Sequence, residues 1–326
     1  MNIKSYAQAI KDVLAEEMRR DERVFVMGED VAEQGGIFGC TRGLINEFGP
    51  DRVRNTPISE NTIVGAGVGA ACAGMRPVVE LMYMDFAYLA MDQILNQAAK
   101  IRYMFGGEAK IPLVIRGQQG IGRGNAAQHS QSVEVMFMHI PGIKVACPSS
   151  PADAAGLLRT AIRDDNPIMF FEHKALYAVK GEVPEDTEFA IPFGKANVVR
   201  EGKDATIVTT LLYVSKALEA AIELEKEGIF CEVIDPRTIM PLDMDTIVNS
   251  IKKTGKLVTV HEAHKIGGVG AEIVAQAIDL AFKYLDAPPE RLGAKHCPLP
   301  FNLGLENAVV PQVIDIINAV KKTLYM

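Results

Sequence analysis

This sequence of 326 residues has no CxxC pair, no run of basic residues, and no uncharged stretch long enough to cross a bilayer. The five scattered cysteines are predicted to be reduced, mostly core residues of a cytoplasmic protein, with a catalytic cysteine as the alternative. A formal net charge of −7 argues against a nucleic-acid partner. The longest uncharged runs are too short and glycine-rich for a membrane span, and residues 1–20 mix acids and bases unlike a targeting peptide.

Apolar runs that alternate with helical patterns indicate the fold class. Most candidate strands are continuously apolar, which is typical of parallel strands covered on both faces. With right-handed crossovers, this alternation predicts a doubly wound α/β fold. The candidate strands are residues 24–27, 78–82, 112–116, 144–147, 167–171, 205–211, 231–234, 257–261 and 292–296.

Amphipathic helices are predicted between these strands. Ser150 followed by Pro151 opens one helix, and Pro311 opens the last one. The apolar faces are predicted at Tyr6, Ile10, Val13 and Leu14 in the first helix, at Val214, Leu218, Ala221 and Ile222 in a later helix, and at Val313, Ile316, Ile317 and Val320 in the last helix.

The length of the chain favours two domains, because single cores stop growing near about 250–300 residues. Residues 180–193 are rich in acid and proline and have no hydrophobic period, so they are predicted to contain the linker. The predicted domains are residues 1–184 and 185–326.

Glu60 is the first candidate for proton chemistry. Pro57 stops any earlier helix and Ser59 is a good N-cap, so Glu60 falls in the first turn of a new helix. The uncharged segment 63–75 that follows is predicted to be buried. Desolvation there would favour a protonated carboxyl, whereas the helix dipole would favour the carboxylate. The alternative is a carboxylate that only caps the helix.

His129 is the second candidate. It follows a glycine-rich loop, and Gln128, Ser130 and Gln131 could hydrogen-bond its ring and fix the tautomer. An acid–base role and a purely structural role are both open. The pair His261 and His264 lacks the spacing of a zinc-protease motif, and metal binding is not predicted there.

The glycines at positions 65, 67 and 69 imitate a dinucleotide-binding motif. That motif requires a strand before the glycines, whereas a capped helix start precedes them here. Close packing of a helix against a neighbour is the preferred interpretation.

Short motifs that all resemble one protein family occur over the whole length of the chain. They lie at residues 57–60, 76–80, 91–93, 97–100, 128–131, 161–167, 237–241, 267–272 and 311–312. Together they resemble the β subunit of the thiamine-diphosphate-dependent first component of 2-oxo acid dehydrogenase complexes. The resemblance implies a pyrimidine-binding transketolase-like domain followed by a transketolase C-terminal-type domain.

The resemblance also implies roles for individual residues. Glu60 would hydrogen-bond the aminopyrimidine ring of thiamine diphosphate, with Ile58, Met82 and Phe86 lining the same pocket. His129 would assist proton transfer and the reductive acylation of a lipoyl group. A potassium site is implied, mainly through backbone carbonyls, at Leu113, Ala161, Ile162, Asp164 and Asn166. Asp286 and Met326 match positions that contact the lipoyl acyltransferase.

The chain contains no Gly-Asp-Gly motif, which such enzymes use to hold magnesium and the diphosphate. We therefore expect this chain to supply half of each active site, with magnesium held by a separate α subunit. By resemblance, the assembly is an α2β2 heterotetramer that serves the lipoyl domain of the acyltransferase.

The residues leave the substrate open. Residues 104–107, 126–132 and 172–174 resemble acetoin dehydrogenases most, with pyruvate dehydrogenases as the alternative. A non-catalytic scaffold subunit is a further alternative. A lone transketolase-like or nicotinamide-dependent enzyme is disfavoured because the diphosphate and dinucleotide motifs are missing.

Overall fold

The computed structural model describes all 326 residues and divides the chain into two compact units. The first unit comprises Met1–Gln119 and Met136–Phe193, and the second comprises Gly120–Val135 and Gly194–Met326. The chain therefore leaves the first unit for sixteen residues, 120–135, before it returns. Nothing in the local sequence pattern predicted this excursion.

The first unit is built on parallel strands in the order β6-β7-β5-β4-β2-β3. Three of these strands, β2, β5 and β7, are buried throughout, so continuous apolar runs identified them from the sequence. The strands are β2 (Val24–Gly28), β3 (Val53–Asn55), β4 (Arg76–Leu81), β5 (Val114–Gln119), β6 (Lys144–Ala146) and β7 (Ile168–His173).

Two short strands form a separate antiparallel pair in the first unit, β1 (Asn2–Ser5) and β8 (Lys180–Val183). Residues 180–183 had been assigned to the linker, and that detail was wrong. The pairing partner of β8 lies at the other end of the unit, so no local pattern reveals it.

The helices of this unit follow their start signals. The Ser5 hydroxyl accepts a hydrogen bond from the Gln8 backbone N–H, and Ser150 accepts one from Asp153, so both serines cap helices. The helix start at Ser150 was predicted, whereas the cap at Ser5 was not. The predicted apolar face of the first helix, including Tyr6 and Ile10, is buried. The helices are α1 (Tyr6–Arg20), α2 (Leu44–Phe48), α3 (Glu60–Cys72), α4 (Ala99–Met104), α5 (Glu134–Met138) and α6 (Pro151–Arg163).

The glycines of α3 lie where the helix meets its neighbours. A Cβ atom at Gly67 would lie 2.9 Å from Val79 and 3.0 Å from Leu113, and one at Gly65 would lie 3.3 Å from Gln93. The close-packing interpretation is therefore correct at these two positions. Burial is limited to one face, however, because Ala66, Gly69 and Cys72 are exposed. The prediction that the whole segment is buried was wrong for these residues.

The second unit contains a five-stranded sheet in the order β14-β13-β10-β11-β9, parallel except for β9. Its strands are β9 (Asn197–Arg200), β10 (Ala205–Thr209), β11 (Cys231–Asp235), β13 (Leu257–His264) and β14 (Glu290–Ala294), with a short β12 (Thr238–Met240). Its helices are α7 (Tyr213–Glu225), α8 (Met244–Thr254), α9 (Val269–Ala281), α10 (Leu303–Val309) and α11 (Val313–Thr323).

Helices α7 and α11 cover one core of the second unit. Ile316 and Val320 are buried there, with Val313 and Ile317 packed at its edge, as the sequence predicted. Ile222 was predicted to face this core, but its side chain is 49% exposed. The predicted apolar stripe is therefore one residue too wide.

The stretch Leu303–Thr323 is long and apolar enough in composition to cross a membrane. It consists of two helices, α10 and α11, with Pro311 between them. Ile316 and Val320 of α11 are buried in the second unit, so this helix forms part of a protein core, and Glu306 is the buried residue of α10.

Candidate active site

The strand order of the first unit marks a crevice. Strand β3, which follows β2 in the sequence, pairs with one edge of β2, and β4 pairs with the other edge of β2. In open parallel sheets, ligands bind outside the carboxyl ends of strands where the order reverses in this way. The carboxyl ends of β2 and β4 lead into Glu29 and Met82, respectively. The fold thus points to this edge independently of any motif.

Glu60 belongs to the same unit and is buried at the start of α3. The loop before it is tied to the end of β2 by a 2.9 Å hydrogen bond from the Thr56 N–H to the Gly28 carbonyl. The predicted helix start at Glu60 is confirmed, although the Ser59 hydroxyl bonds Thr62 at 2.8 Å instead of capping the backbone.

Glu29 is a second carboxyl group at this edge that the sequence reasoning missed. Its side chain is 5% exposed, and its Oε1 atom has no hydrogen-bond partner. Burial, together with the neighbouring carboxyl groups of Glu60, Asp30 and Glu80, raises the pKa of Glu29 to about 7. The available signal was an acidic residue directly after a buried strand.

Apolar side chains accompany these carboxyl groups. Met82 directly follows β4, and Phe86 lies in the 3-10 helix Met84–Ala90, which packs against α3. Both residues are half-buried, whereas Ile58 is 80% exposed in the isolated chain. An aromatic ring and a thioether beside a protonated carboxyl can hold a flat nitrogen heterocycle.

A buried charge cluster lies behind this edge. The Arg116 guanidinium is fully buried and donates to Glu172 through two 2.6 Å hydrogen bonds and to Glu80 through a third. Gln118 also donates to Glu80, at 3.1 Å, and the Tyr177 hydroxyl donates to Glu172 at 2.6 Å. A single arginine thus compensates two buried carboxylates, one of which acts electrostatically on Glu29.

His129 belongs to the second unit, within residues 120–135. It is half-buried, and its N–H donates to the Ala126 carbonyl at 3.3 Å in a tight turn where Ala126 has φ of 60°. The neighbouring Ser130 hydroxyl is buried without a hydrogen-bond partner. Glu60 and His129 are therefore described within different units.

The residues of the candidate potassium site lie around Arg76 in the first unit. Arg76 donates to the carbonyl oxygens of Ile162 at 2.9 Å and Asp164 at 2.7 Å. The Leu113 carbonyl accepts from Ile168, and Ala161 accepts from the Asp164 N–H. Each carbonyl oxygen has two lone pairs, so one remains for a cation. Carbonyl oxygens are ligands for hard cations, and a cation here would share the Ile162 and Asp164 carbonyls with Arg76.

The two candidate docking residues lie near one another in the second unit. Asp286 is exposed, and Lys256 lies 3.4 Å from its carboxylate. The Tyr325 hydroxyl donates to the Asp286 carbonyl at 3.2 Å, which brings the exposed Met326 to the same surface.

The histidine pair at positions 261 and 264 has a different environment. Burial lowers the pKa of His261 to about 4, so this ring is neutral at physiological pH. The two Nδ1 atoms contact different carbonyl oxygens, of Ala263 and Lys295. No group of three potential metal ligands of the His, Cys, Asp and Glu types occurs in the structure.

Comparisons with known proteins agree with this arrangement. The transketolase pyrimidine-binding domain matches residues 3–180, and the transketolase C-terminal domain matches residues 194–316. The pyruvate dehydrogenase E1 component subunit beta of Rickettsia bellii is 50% identical, with 98% of each chain covered. The acetoin:2,6-dichlorophenolindophenol oxidoreductase subunit beta of Cupriavidus necator is 49% identical, covering 97% of this chain and 96% of that one. A split-gene transketolase, described as an inactive beta4 tetramer, superposes with a TM-score of 0.79 at 24% identity and 98% coverage of each chain.

Proposed function

Because this chain belongs to the family of β subunits of the thiamine-diphosphate-dependent first component of 2-oxo acid dehydrogenases, we propose that it is the β subunit of an acetoin dehydrogenase. In this proposal it works in the cytoplasm with an α subunit. The enzyme cleaves the carbon–carbon bond next to the carbonyl group and passes the acyl unit to a lipoyl domain. The observation that supports the proposal is the pair of buried carboxyl groups, Glu60 and Glu29, at the edge of the first sheet where the strand order reverses.

Glu60 is proposed to share a proton with a ring nitrogen of the aminopyrimidine. Its burial at the start of α3 excludes water from that contact, and burial together with the Glu60 carboxyl group raises the pKa of Glu29 beside it. Met82 and Phe86 orient the ring by packing, and Ile58 would be covered by the ligand or the partner. When bound, thiamine diphosphate supplies the electron sink that makes cleavage next to a carbonyl possible.

His129 is proposed to move a proton to or from the reacting oxygen and to assist transfer to the lipoyl group. A histidine suits this role because its ordinary pKa lies near physiological pH. Gln128 and Gln131 beside it provide polar atoms that can select the tautomer.

The remaining parts of the active site are proposed to come from partners. The missing Gly-Asp-Gly motif requires an α subunit that holds magnesium and the diphosphate, in an α2β2 assembly. The carbonyl cluster at Leu113, Ala161, Ile162, Asp164 and Asn166 is proposed to bind potassium. Asp286 and Met326 are proposed to contact the lipoyl acyltransferase, which fits their adjacent exposed positions.

Pyruvate is the second candidate substrate, because a pyruvate dehydrogenase β subunit is 50% identical and an acetoin enzyme β subunit is 49% identical. The reconstituted complex should be assayed with both substrates under one set of conditions. The acetoin proposal expects the higher kcat/KM with acetoin. A higher value with pyruvate would assign the chain to the second candidate.

The class proposal is tested by Glu60→Gln in the complex with its α subunit. We expect the assembly and cofactor binding to persist while turnover falls about a hundredfold or more, because the amide cannot exchange the proton. Exchange of the acidic thiazolium proton of the cofactor, followed by NMR, should slow in parallel.

Glu223→Gln, on the exposed surface of α7, is the matched control and should leave turnover unchanged. Full turnover by Glu60→Gln would remove this carboxyl group from the mechanism.

A further inference from the structure

The segment that carries His129 is a closed loop. We call residues 120–132 the His129 loop. Its ends are joined by a 3.1 Å hydrogen bond from the Gly120 N–H to the Gln131 carbonyl. Compact loops of this kind are frequently functional, and their own geometry does not fix their orientation on the rest of the protein.

Two glutamates from distant parts of the second unit hold the backbone of this loop. Glu262, in β13, accepts hydrogen bonds on Oε1 from the Ile121 N–H and the Ser132 hydroxyl, both at 2.9 Å. Glu306, in α10, accepts one on Oε2 from the Gly122 N–H at 3.0 Å. The contacts join residues 141 and 184 positions apart in sequence.

Packing adds to these contacts at the same end of the loop. Ile121 is buried in an apolar cluster with Ala294, Leu299 and Val310. Gly124 has φ of 61°, and a Cβ atom there would lie 2.9 Å from the Phe301 carbonyl oxygen. The loop is thus fixed at residues 121–124 and again at Ser132, and His129 lies between these two attachments.

The two carboxyl groups are costly to bury, which makes their placement informative. Glu306 is 1% exposed, and its Oε1 atom has no partner. A buried carboxyl group is tolerated only where it makes hydrogen bonds, and the one that Glu306 makes comes from the Gly122 N–H in the backbone of the loop. A backbone N–H bonds to an acceptor whatever side chain its residue carries. These contacts therefore constrain the position of the loop and not its amino-acid sequence.

From this geometry we infer that Glu262 and Glu306 are positioning residues for His129, which they hold in place through the His129 loop. The inference rests on the proposed function, because it assumes that His129 takes part in the reaction. The glutamates are assigned no contact with substrate or cofactor.

Trypsin provides a readout of loop order that does not depend on activity. Arg123 is exposed and is the only lysine or arginine between Arg116 and Lys144. Cleavage after Arg123 in the intact complex therefore reports release of the loop, and mass spectrometry identifies the two fragments.

Glu306→Ala should raise the rate of this cleavage about tenfold or more, since a hydrogen bond to a charged group is lost. It should also lower kcat for acyl transfer to the lipoyl domain more than it changes KM. Glu306→Gln keeps an acceptor oxygen for the Gly122 N–H and should restore both values to near those of the parent. Glu272→Ala removes an exposed glutamate from the same unit and serves as the control.

Ser132→Ala removes a single hydrogen bond to Glu262 and covers the case in which Glu306→Ala does not fold. It should give a smaller change in the same direction in both measurements. The positioning role is overturned if cleavage is unchanged in the folded variants, or if cleavage rises while transfer to the lipoyl domain stays at the parent rate. Full activity of His129→Ala would instead contradict the proposed function, and the trypsin result would still report on the anchoring.

Discussion

At the scale of single residues, a buried carboxyl group that has other carboxyl groups as neighbours binds its proton more tightly than one in water. Glu29 has no hydrogen-bond partner on Oε1, and its nearest charged neighbour by electrostatic effect is Glu60. Burial and the neighbouring carboxyl groups therefore raise the pKa of Glu29 to about 7. A carboxyl group with this pKa keeps a proton available at the crevice near neutral pH.

The raised pKa of Glu29 predicts how the stability of the purified chain depends on pH. The folded state binds this proton more tightly than the unfolded state, so the stabilisation is complete below the ordinary carboxyl pKa of about 4.5 and is lost as pH rises through about 7. We expect the unfolding temperature to fall between pH 5.5 and pH 8.5, and to fall less in Glu29→Gln. An identical pH dependence in parent and variant would contradict the raised pKa.

Residues of the candidate site differ in how far the sequence reveals them. Glu60 follows a proline and a serine, residue types that favour a helix start, so local signals give its helix position correctly. Glu29 has no such signal, because its burial depends on strands β3 and β4, which pair with β2 from elsewhere in the chain. The same holds for Arg116, which a local reading places in an apolar strand without its two carboxylate partners.

At the scale of helices and strands, the sequence predicts the strands that are buried on both faces, but it does not predict the short strands at the margins of the sheets. All nine candidate strands exist, from β2 to β14, because apolar runs are a local property. Strands β1, β3, β8, β9 and β12 have three or four residues each and depend on partners far away in sequence. Local patterns therefore fix the core layers and leave the margins undetermined.

Helix α3 offers a matched pair of glycines for testing close packing. Gly67→Ala should destabilise the chain by about 1–3 kcal/mol, because the new Cβ atom would meet Val79 and Leu113. Gly69→Ala has nothing within 4 Å of the new atom and should stabilise the helix by up to about 1 kcal/mol. Urea unfolding of the isolated chain measures both. Equal effects of the two substitutions would mean that Gly67 is not packed as described.

At the scale of the whole molecule, the fold and the family are predicted correctly from the sequence. Which compact unit each residue belongs to is not. The end of the first unit at Phe193 coincides with the end of the acidic, proline-rich segment. The assignment of residues 120–135 to the second unit depends on Glu262, Glu306 and the cluster around Ile121, all of which are long-range contacts. Composition alone gives no sign of such contacts.

The half-site proposal predicts the behaviour of the molecule in solution. The chain expressed alone should show no thiamine-dependent activity, because it has no Gly-Asp-Gly motif for magnesium and the diphosphate. Coexpression with an α-type chain that contains this motif should give an α2β2 mass by native mass spectrometry, together with activity. A thiamine-active homodimer of this chain would contradict the proposal.

The excursion of the chain between the units limits how this gene can be recombined. A chimera joined only at Gly194 would combine a His129 loop from one parent with glutamates, apolar partners and the Phe301 carbonyl from another. Shuffled libraries should therefore inherit residues 120–135 and 194–326 from a single parent, so that crossovers fall near positions 119, 136 and 193. Evolution by exchange of whole domains would face the same constraint, and a single breakpoint would not satisfy it.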